Sequence, residues 1–440
     1  MDLREILKST HGIILSGERK NKETGKICVD SRKMEKGDIF VAMRGTNTNG
    51  NKYIKDVIDK ASVVITDKFI TSKSDTPIIK VFNVKRAITA IGKANRKKYI
   101  DKPLIAITGS VGKTTTKELI AHIFETKYNI VKTEGNLNND LGVPLTLSKI
   151  TESNDIVILE MGMNHLKEIE KLSRMCKPST AIITNIGTSH IGILKTQENI
   201  LKAKMEITKY LRKGDLIVNG NDPLLNTVKE NKNYGIIRTN EDIIENLRIE
   251  DKMYFDIRLN DKLYNVEFSI PNKYLLTNIL LAVKVAEIYQ IQPSAIVRAL
   301  NTFQGAEGRL DTIELKNNIT LISDCYNASP ESIKSSLSVL SNTKKKKMAI
   351  IGDVLELGEH SQTLHKKIEK SLEEIEDLRV ITVGDATKVI NLGRHFNNNE
   401  ELKEHLNRAK LDDTTILIKG SHGMHLEEIK NYLAEKYKAQ

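Results

Sequence analysis

From about residue 103 the chain alternates short β-branched runs with stretches of helical periodicity. "PLIAIT" is followed by a helix from Lys113, then "NIVKT", "DIVILEM", a helix near 166–176 and "TAIITNIG". This is the rhythm of parallel βαβ units, in which each strand feeds a crossover helix. A helix over 197–212, the strand "DLIVNG", a hairpin "MYFDIRLNDKLYNVEFSI" turning at Asn260-Asp261 and a helix over 273–290 complete the block. Alternation resumes near 311 with "ITLISD", a helix opening at Ser329-Pro330, "KKMAIIGD", a helix near 360–373, "RVITVG", and "TTILIKG" before a terminal helix. Ser329 suits an N-cap and Pro330 the first helical position, where a missing N–H costs nothing. The first hundred residues begin with a short amphipathic helix and hold short strands such as "DIFVAM" and "SVVIT", with weaker alternation. The pattern predicts an α/β chain of three domains, 1–98, 99–310 and 311–440, whose central sheet is mostly parallel with helices on both faces.

Length agrees, because 440 residues exceed the size at which one hydrophobic core keeps growing. Hydrophobic content of 39% and charged content of 28% are those of a soluble globular protein, and no apolar run approaches a membrane span. The opening "MDLREILKST" carries Asp2, Arg4 and Glu5 and does not read as a signal peptide. Cys28, Cys176 and Cys325 are odd in number and far apart, which suggests packing residues in a reducing, cytoplasmic setting. The net charge of +11 is spread along the chain, and the only run, "KKKK" at 344–347, reads as a solvated strand edge. No nucleic-acid-binding module accompanies this charge, whereas a basic surface also steers nucleotides and peptide carboxylates.

The segment "ITGSVGKTTT" at 107–116 has the strand–loop–helix setting of a phosphate cradle, where backbone N–H groups and the helix dipole converge. Its spacing is short: Gly109 and Gly112 are separated by only two residues, and Ile107 stands where G-x-x-x-x-G-K-[ST] has its first glycine. In a cradle Lys113 would meet the transferred phosphate and the Thr114 hydroxyl would hold Mg²⁺; otherwise the segment is a glycine turn before a helix. "DIVILEMG" delivers Glu160 and "TAIITNIGTSH" delivers His190 at or past carboxyl ends of strands, where ligands bind in open α/β sheets. Alone, each would be a strand-end charge or a loop histidine; together with Thr114 they suggest magnesium ligands, although magnesium prefers oxygen. Further on, Ile200, Ala203, Ile207 and Leu211 share a helix face with Lys204 beside it, and periodicity by itself leaves that lysine solvated.

Taken together, "TGSVGKT", "EGNLNNDLGVP", "LEMGMNHLKEI", "TNIGTSHIG", "AKMEI", "SDCYNASPES", "GDVLELG" and "IKGSHGMHLEEI" resemble the Mur ligases of peptidoglycan synthesis, in order through all three domains. That family uses the short G-x-x-G-K-T loop. The resemblance implies a P-loop-type central ATP-binding domain, a C-terminal Rossmann-like domain for the amine acceptor, and a smaller N-terminal domain for a UDP-sugar peptide. "GNLNNDLGVP", "YNASP" and "GDVLELG" point to the branch that joins D-alanyl-D-alanine to UDP-N-acetylmuramoyl-tripeptide, forming ADP and phosphate through an acyl phosphate, as a cytoplasmic monomer. No "DNPR"-like signature of the diaminopimelate-adding branch is present. Folylpolyglutamate synthetase would keep the same ATP site with a different acceptor, and a nucleic-acid-dependent ATPase would also carry a glycine loop.

By the same resemblance, Thr108, Gly109, Ser110, Val111, Gly112, Lys113, Thr114 and Thr115 form the ATP loop. Thr114 and Glu160 take one Mg²⁺ and His190 a second, helped by Lys204 carbamylated by CO₂, with Lys202 the competing lysine. Asn278 is implied at the nucleobase, Arg309 at the phosphates, and Asp324 and Asn327 near ribose or phosphate. Relatives commonly carry His-Asn where this chain has Tyr274 and Leu275. Ser31, Arg32 and Arg44 are implied contacts of the UDP-sugar peptide, beside Asn49-Gly50-Asn51 in place of D-G-H. Among Asn136, Asn138 and Asn139, the last two are the preferred substrate contacts.

Overall fold

The computed structural model describes residues 1–45, 48–230, 232–306 and 308–438. Its frame is a six-stranded, all-parallel sheet in the order Gly235–Thr239, Asp215–Asn219, Thr180–Ile183, Leu104–Thr108, Ile156–Glu160, Ile130–Lys132. The inner strands read as unbroken apolar runs because both faces are covered by helices. The order places the strand before the glycine loop between the strands that end at Glu160 and Ile183. After Thr108 the chain crosses to one edge and later returns on the other side. That reversal opens a crevice at the carboxyl ends.

The predicted hairpin forms between Met253–Leu259 and Lys262–Phe268, and both turn residues, Asn260 and Asp261, take positive φ as a tight two-residue turn requires. A third strand, Ile244–Ile249, joins it with irregular register and partial exposure, which is why its alternation is weak.

The C-terminal sheet starts at Asp311–Leu315, antiparallel to Ile319–Ser323, and continues in parallel through Thr414–Lys419, Lys346–Gly352, Leu378–Val383 and Arg394–Phe396. The helix Pro330–Ser341 begins as anticipated, with Ser329 capping it and Pro330 in its first turn. The N-terminal sheet pairs Ile13–Ser16 with Ile78–Lys80 and adds Val63–Thr66, Ile39–Val41 and Ile27–Cys28, strands of two to four residues. Such lengths leave little periodicity to read. Three predicted helices begin or end in 3₁₀ turns: 197–212 is Gln197–Met205 followed by Glu206–Tyr210, 273–290 opens at Lys273–Leu275, and 360–373 at Gly358–His360.

The helix Val84–Lys98 fastens the N-terminal sheet to the central one. Asn95 Nδ2 donates to the carbonyls of Leu147 and Ile150, each at 2.9 Å. The buried Arg96 guanidinium donates to the carbonyls of Cys176, Tyr99 and Lys102 at 2.7–2.9 Å. All three cysteines are buried and unpaired, and burial pushes the Cys176 thiol up to about 12.

Candidate active site

The glycines are imposed by the crowding of the loop. Gly109 has φ +155°, and a Cβ there would lie 1.8 Å from Thr184 Oγ1; Gly112 has φ +81°, with a Cβ 2.4 Å from Asn278 Nδ2. Backbone can pass so close to neighbouring side chains only without its own. Thr184 and Asn185, just past the adjacent strand, brace the loop: Thr184 Oγ1 donates to Val111 O at 2.5 Å and Asn185 Oδ1 accepts from Val111 N at 2.9 Å. Ser110 Oγ accepts from Gly187 N at 2.9 Å. Gly112 then caps the helix Lys113–Phe124, and Thr116 N is the first to bond back, to Gly112 O at 2.8 Å. The N–H groups of the preceding turn have no intrahelical acceptor, which makes this terminus a receptor for anionic oxygen.

Lys113 folds over the loop, its Nζ 2.9 Å from Gly109 O and 3.2 Å from Ser110 O. Its side chain keeps some surface, yet enclosure is enough for burial to push the ammonium below its ordinary value, Glu160 opposing and Arg309 adding to the shift. Thr114 Oγ1 donates to Glu160 Oε2 at 2.9 Å, and Asn138 Nδ2 to Glu160 Oε1 at 2.8 Å. Glu160 is only 2% exposed and its own N–H is held by Thr133 Oγ1 at 3.0 Å. The hydroxyl and the carboxylate thus converge at the foot of the loop.

His190 has φ +64° and precedes the short helix Ile191–Leu194. Its Nδ1 lies 2.7 Å from Glu356 Oε2, a residue of the C-terminal domain that is itself at φ +63°. Burial pushes the imidazole pKa down; Glu356 pushes it up, Lys113 and Lys204 down, and the net direction is down. Lys204, in the last turn of Gln197–Met205, is buried at 2% exposure rather than solvated, whereas Lys202 is exposed. Among the described residues the Lys204 ammonium has no carboxylate partner, and burial, with Lys113 adding, drives it well below its ordinary value.

A cleft of about 440 Å³ collects Thr108, the loop, Asn138, Glu160, His190, Lys204 and Asn278 with Arg309, Asp324 and Asn327. Asn278 Nδ2 donates to Thr116 Oγ1 at 2.8 Å and Gly112 O at 3.2 Å, so its amide N–H supports the cradle itself. Arg309 stacks on Tyr326 with its guanidinium carbon 4.4 Å from the ring centre. Asp324 is paired with the buried Lys419 and accepts from Ser336 Oγ at 2.7 Å, while its Oδ1 is buried without a partner among the described residues. Burial pushes the Asp324 carboxyl up, but Lys419, Arg309 and Ser336 together hold it below its ordinary value.

Four anticipated residues lie outside this cleft. Asn139 Oδ1 accepts from Leu141 N at 3.1 Å and Gly142 N at 2.9 Å, a turn that starts the helix Gly142–Ser148. Ser31, Arg32 and Arg44 belong to the N-terminal domain; Arg32 forms a bidentate pair with Asp30, holding that carboxyl down at about 2, and Arg44 bridges to Asn49.

Sequence reasoning assigned nothing to Thr184, Asn185, Glu331 or Glu356. Glu331 accepts from Thr188 N at 3.0 Å and from Thr188 Oγ1 at 2.9 Å across the domain junction, and Gly192 N donates to Glu356 O at 3.0 Å. Their partners are 143 and 166 residues away, beyond any local pattern, although both glutamates stand inside the motifs "YNASPES" and "GDVLELG".

The chemistry of the donors can be tested against magnesium. Among the described residues no three His, Cys, Asp or Glu side chains gather closely enough to chelate an ion. Thr114 and Glu160 nevertheless present adjacent oxygens, the ligand type Mg²⁺ takes when it shares its shell with substrate phosphates and water. These residues fit one ion. The unmodified Lys204 amine does not fit one, and would do so only after gaining an oxygen-bearing group.

Two family models match, the Mur ligase middle domain over residues 107–286 and the Mur ligase glutamate ligase domain over 308–422. The UDP-N-acetylmuramoyl-tripeptide–D-alanyl-D-alanine ligase of Bacillus subtilis is 30% identical over 451 aligned positions, covering 98% of each chain. The chain belongs to the Mur ligase family. A second member with the same name, from Rickettsia prowazekii, is 31% identical over 92% of this chain and 94% of its own. The crystal structure of MurF from Acinetobacter baumannii superposes with a TM-score of 0.85 at 27% identity, over 98% of both chains. Family membership accounts for the short loop and for the three-domain α/β architecture found here.

Proposed function

We propose that this ligase joins D-alanyl-D-alanine to UDP-N-acetylmuramoyl-tripeptide at the expense of ATP, in the cytoplasm and as a monomer. The observation that carries the reading is the meeting of a glycine loop, its Thr114–Glu160 pair and the uncompensated Lys204 in one cleft walled by two domains. Support for the substrates comes from the names of the relatives, which this chain matches over nearly its whole length.

In this reading the peptide carboxylate attacks the γ-phosphorus of ATP, ADP leaves, and the dipeptide amine then attacks the acyl phosphate carbonyl and expels phosphate. Phosphoryl transfer needs positioning and charge neutralisation more than covalent help. The loop from Thr108 to Thr115 cradles the phosphates, Lys113 swings from its carbonyl partners to the transferred group, and Arg309 meets it from the junction. Thr114 and Glu160 would hold Mg²⁺, which would supply positive charge to the phosphate oxygens. His190 would be the protein ligand of a second Mg²⁺. Burial disfavours the Lys204 ammonium; the amine, having lost its proton to solvent, would attack CO₂ and release a second proton, and the carbamate would supply the oxygen donor that the raw lysine lacks. Asn278, Asp324 and Asn327 line the nucleoside side, and Asn138 the donor side. The N-terminal domain, 1–98, carries the UDP-sugar through Ser31, Arg32 and Arg44; 99–310 carries ATP, and 311–440 the dipeptide. The two walls exclude water from an intermediate that would otherwise hydrolyse.

ADP release measured with each substrate omitted in turn tests the reading. Turnover should require both the UDP-sugar tripeptide and D-alanyl-D-alanine; full turnover with either left out, or with glutamate as the acceptor, would overturn it.

A further inference from the structure

The central sheet has a second concavity, at the opposite end from the cleft. It lies beneath the amino ends of four adjacent strands, lined by Lys102 and Pro103 before Leu104–Thr108, Ser179 before Thr180–Ile183, Lys213 before Asp215–Asn219, and Lys232 before Gly235–Thr239. Strands of four or five residues separate the two ends by roughly 16 Å at about 3.3 Å per residue. A ligand here cannot touch the glycine loop.

The charge of this concavity is one-sided. Arg96, Lys102, Lys177, Lys209, Arg212 and Lys213 line it together with Lys232, and Asp101 is the one carboxylate in its wall among the described residues. None of the seven cations has an ion pair among the described residues. Elsewhere this chain commonly pairs its lysines, as Lys132 with Glu118 at 2.5 Å and Lys403 with Glu400 at 2.8 Å. The floor is built rather than loosely draped. Arg96 is 2% exposed and fixed by carbonyls of the chain segments on either side, Arg212 Nη1 donates to Ile100 O at 3.0 Å, and Lys102 Nζ donates to Glu152 O at 2.8 Å. Carbonyl oxygens orient these heads but carry no net charge, so the positive field is left uncancelled. Burial, with Arg212 reinforcing it, pushes the Arg96 guanidinium down to about 10, so it stays charged at neutral pH. Around this fixed floor Lys177, Lys209, Lys213 and Lys232 are exposed, free to close on a ligand. The space, about 820 Å³, is that of a small-molecule site.

We infer that this concavity is a second anion site, which takes a compact, multiply charged phosphate group at the end of the sheet remote from the cleft. Several cations around one small volume favour di- or triphosphate over a single carboxylate, because each added negative charge meets another unpaired ammonium. A free polyphosphate and the phosphate of an anionic lipid headgroup share this chemistry.

The probe is inorganic pyrophosphate, titrated calorimetrically at low salt into the full chain, into Lys113→Ala, and into Lys177→Gln/Lys209→Gln/Lys213→Gln. Lys113→Ala weakens phosphate binding in the cleft only, so a site that persists in it is the second one. The triple variant, whose three lysines are exposed, should keep its Tm and bind there about tenfold or more weakly; Lys177→Arg/Lys209→Arg/Lys213→Arg should restore binding. Co-sedimentation with phosphatidylcholine vesicles, with and without phosphatidylglycerol, separates the sources. Uptake by the anionic vesicles that pyrophosphate displaces assigns a headgroup, and pyrophosphate binding without vesicle uptake assigns a free phosphate. Unchanged binding in the triple variant, or loss of all binding in Lys113→Ala, would overturn the second site while leaving the ligase reading intact.

Discussion

Replacing Glu331 by alanine removes a contact between two domains while leaving the glycine loop untouched. The carboxylate, on the first turn of Pro330–Ser341, accepts from Thr188 N at 3.0 Å and from Thr188 Oγ1 at 2.9 and 3.1 Å. A hydrogen bond to a charged group contributes about 1.5–3 kcal/mol net. The two donors recover water when the domains part and Glu331 is half-exposed, so about 2 kcal/mol for the pair of donors is the appropriate scale. That amount shifts the balance between joined and parted domains about 30-fold. Contacts that remain, among them His190 to Glu356 at 2.7 Å, Gly192 N to Glu356 O at 3.0 Å, His360 to Lys195 O at 3.1 Å and Asn342 to Pro271 O at 2.9 Å, keep part of the joined population. The radius of gyration by small-angle scattering should therefore rise, and kcat should fall by up to about 30-fold with ADP affinity nearly unchanged. Glu331→Gln keeps an acceptor oxygen but not the charge that favours the helix terminus, and should fall between parent and alanine. A Glu331→Ala protein with parental kcat and radius would refute the latch. So would a loss confined to the KM for ATP.

Three further outcomes follow. Gly109→Ala places a methyl against Thr184 at a φ of +155°, so calorimetric ADP affinity should be lost with about 1–3 kcal/mol of stability, and an affinity within twofold of the parent would count against the cradle. Lys204→Met removes a buried amine that has no carboxylate partner among the described residues, so Tm should hold or rise while turnover drops about 10²–10³-fold; retained turnover would exclude a catalytic part for the lysine. Lys419→Met strands the Asp324 carboxylate and should cost about 3–5 kcal/mol in urea unfolding, partly restored by adding Asp324→Asn. Since the folded Asp324 carboxyl lies below its ordinary value, its stabilisation is present above the unfolded value near 3.8 and is lost as pH falls through the folded one; the double variant should lack this part of the acid limb of Tm against pH.

The parallel blocks were legible because buried strands such as Leu104–Thr108 and Ile156–Glu160 are unbroken apolar runs alternating with helices. The N-terminal sheet was not, its strands being too short to show a period. In the cleft, Thr114, Glu160 and His190 were accessible because each follows a recognisable strand end. Lys204 escaped local reading because its burial depends on the rest of the cleft packing around it, and periodicity pointed to solvent. Glu331 and Glu356 escaped for a different reason: their partners lie on another domain. Asn139 shows the reverse hazard, an asparagine in a suggestive loop whose oxygen is spent on starting a helix.

The stitching of Val84–Lys98 to the central sheet has a kinetic consequence. With Asn95 and Arg96 tied to carbonyls of the neighbouring domain, the N-terminal and central sheets travel as one piece. The other junction passes through Gly305 and Gly308, both at positive φ, and is joined by Glu331 to Thr188, His190 to Glu356 and Gly192 N to Glu356 O, so the glycines offer the place for a hinge. In the proposed assignment of ligands to domains, the half that meets the acid and the nucleotide is standing before the other half arrives. Under the proposed function, such a machine would load its donor and its fuel first and admit the amine last.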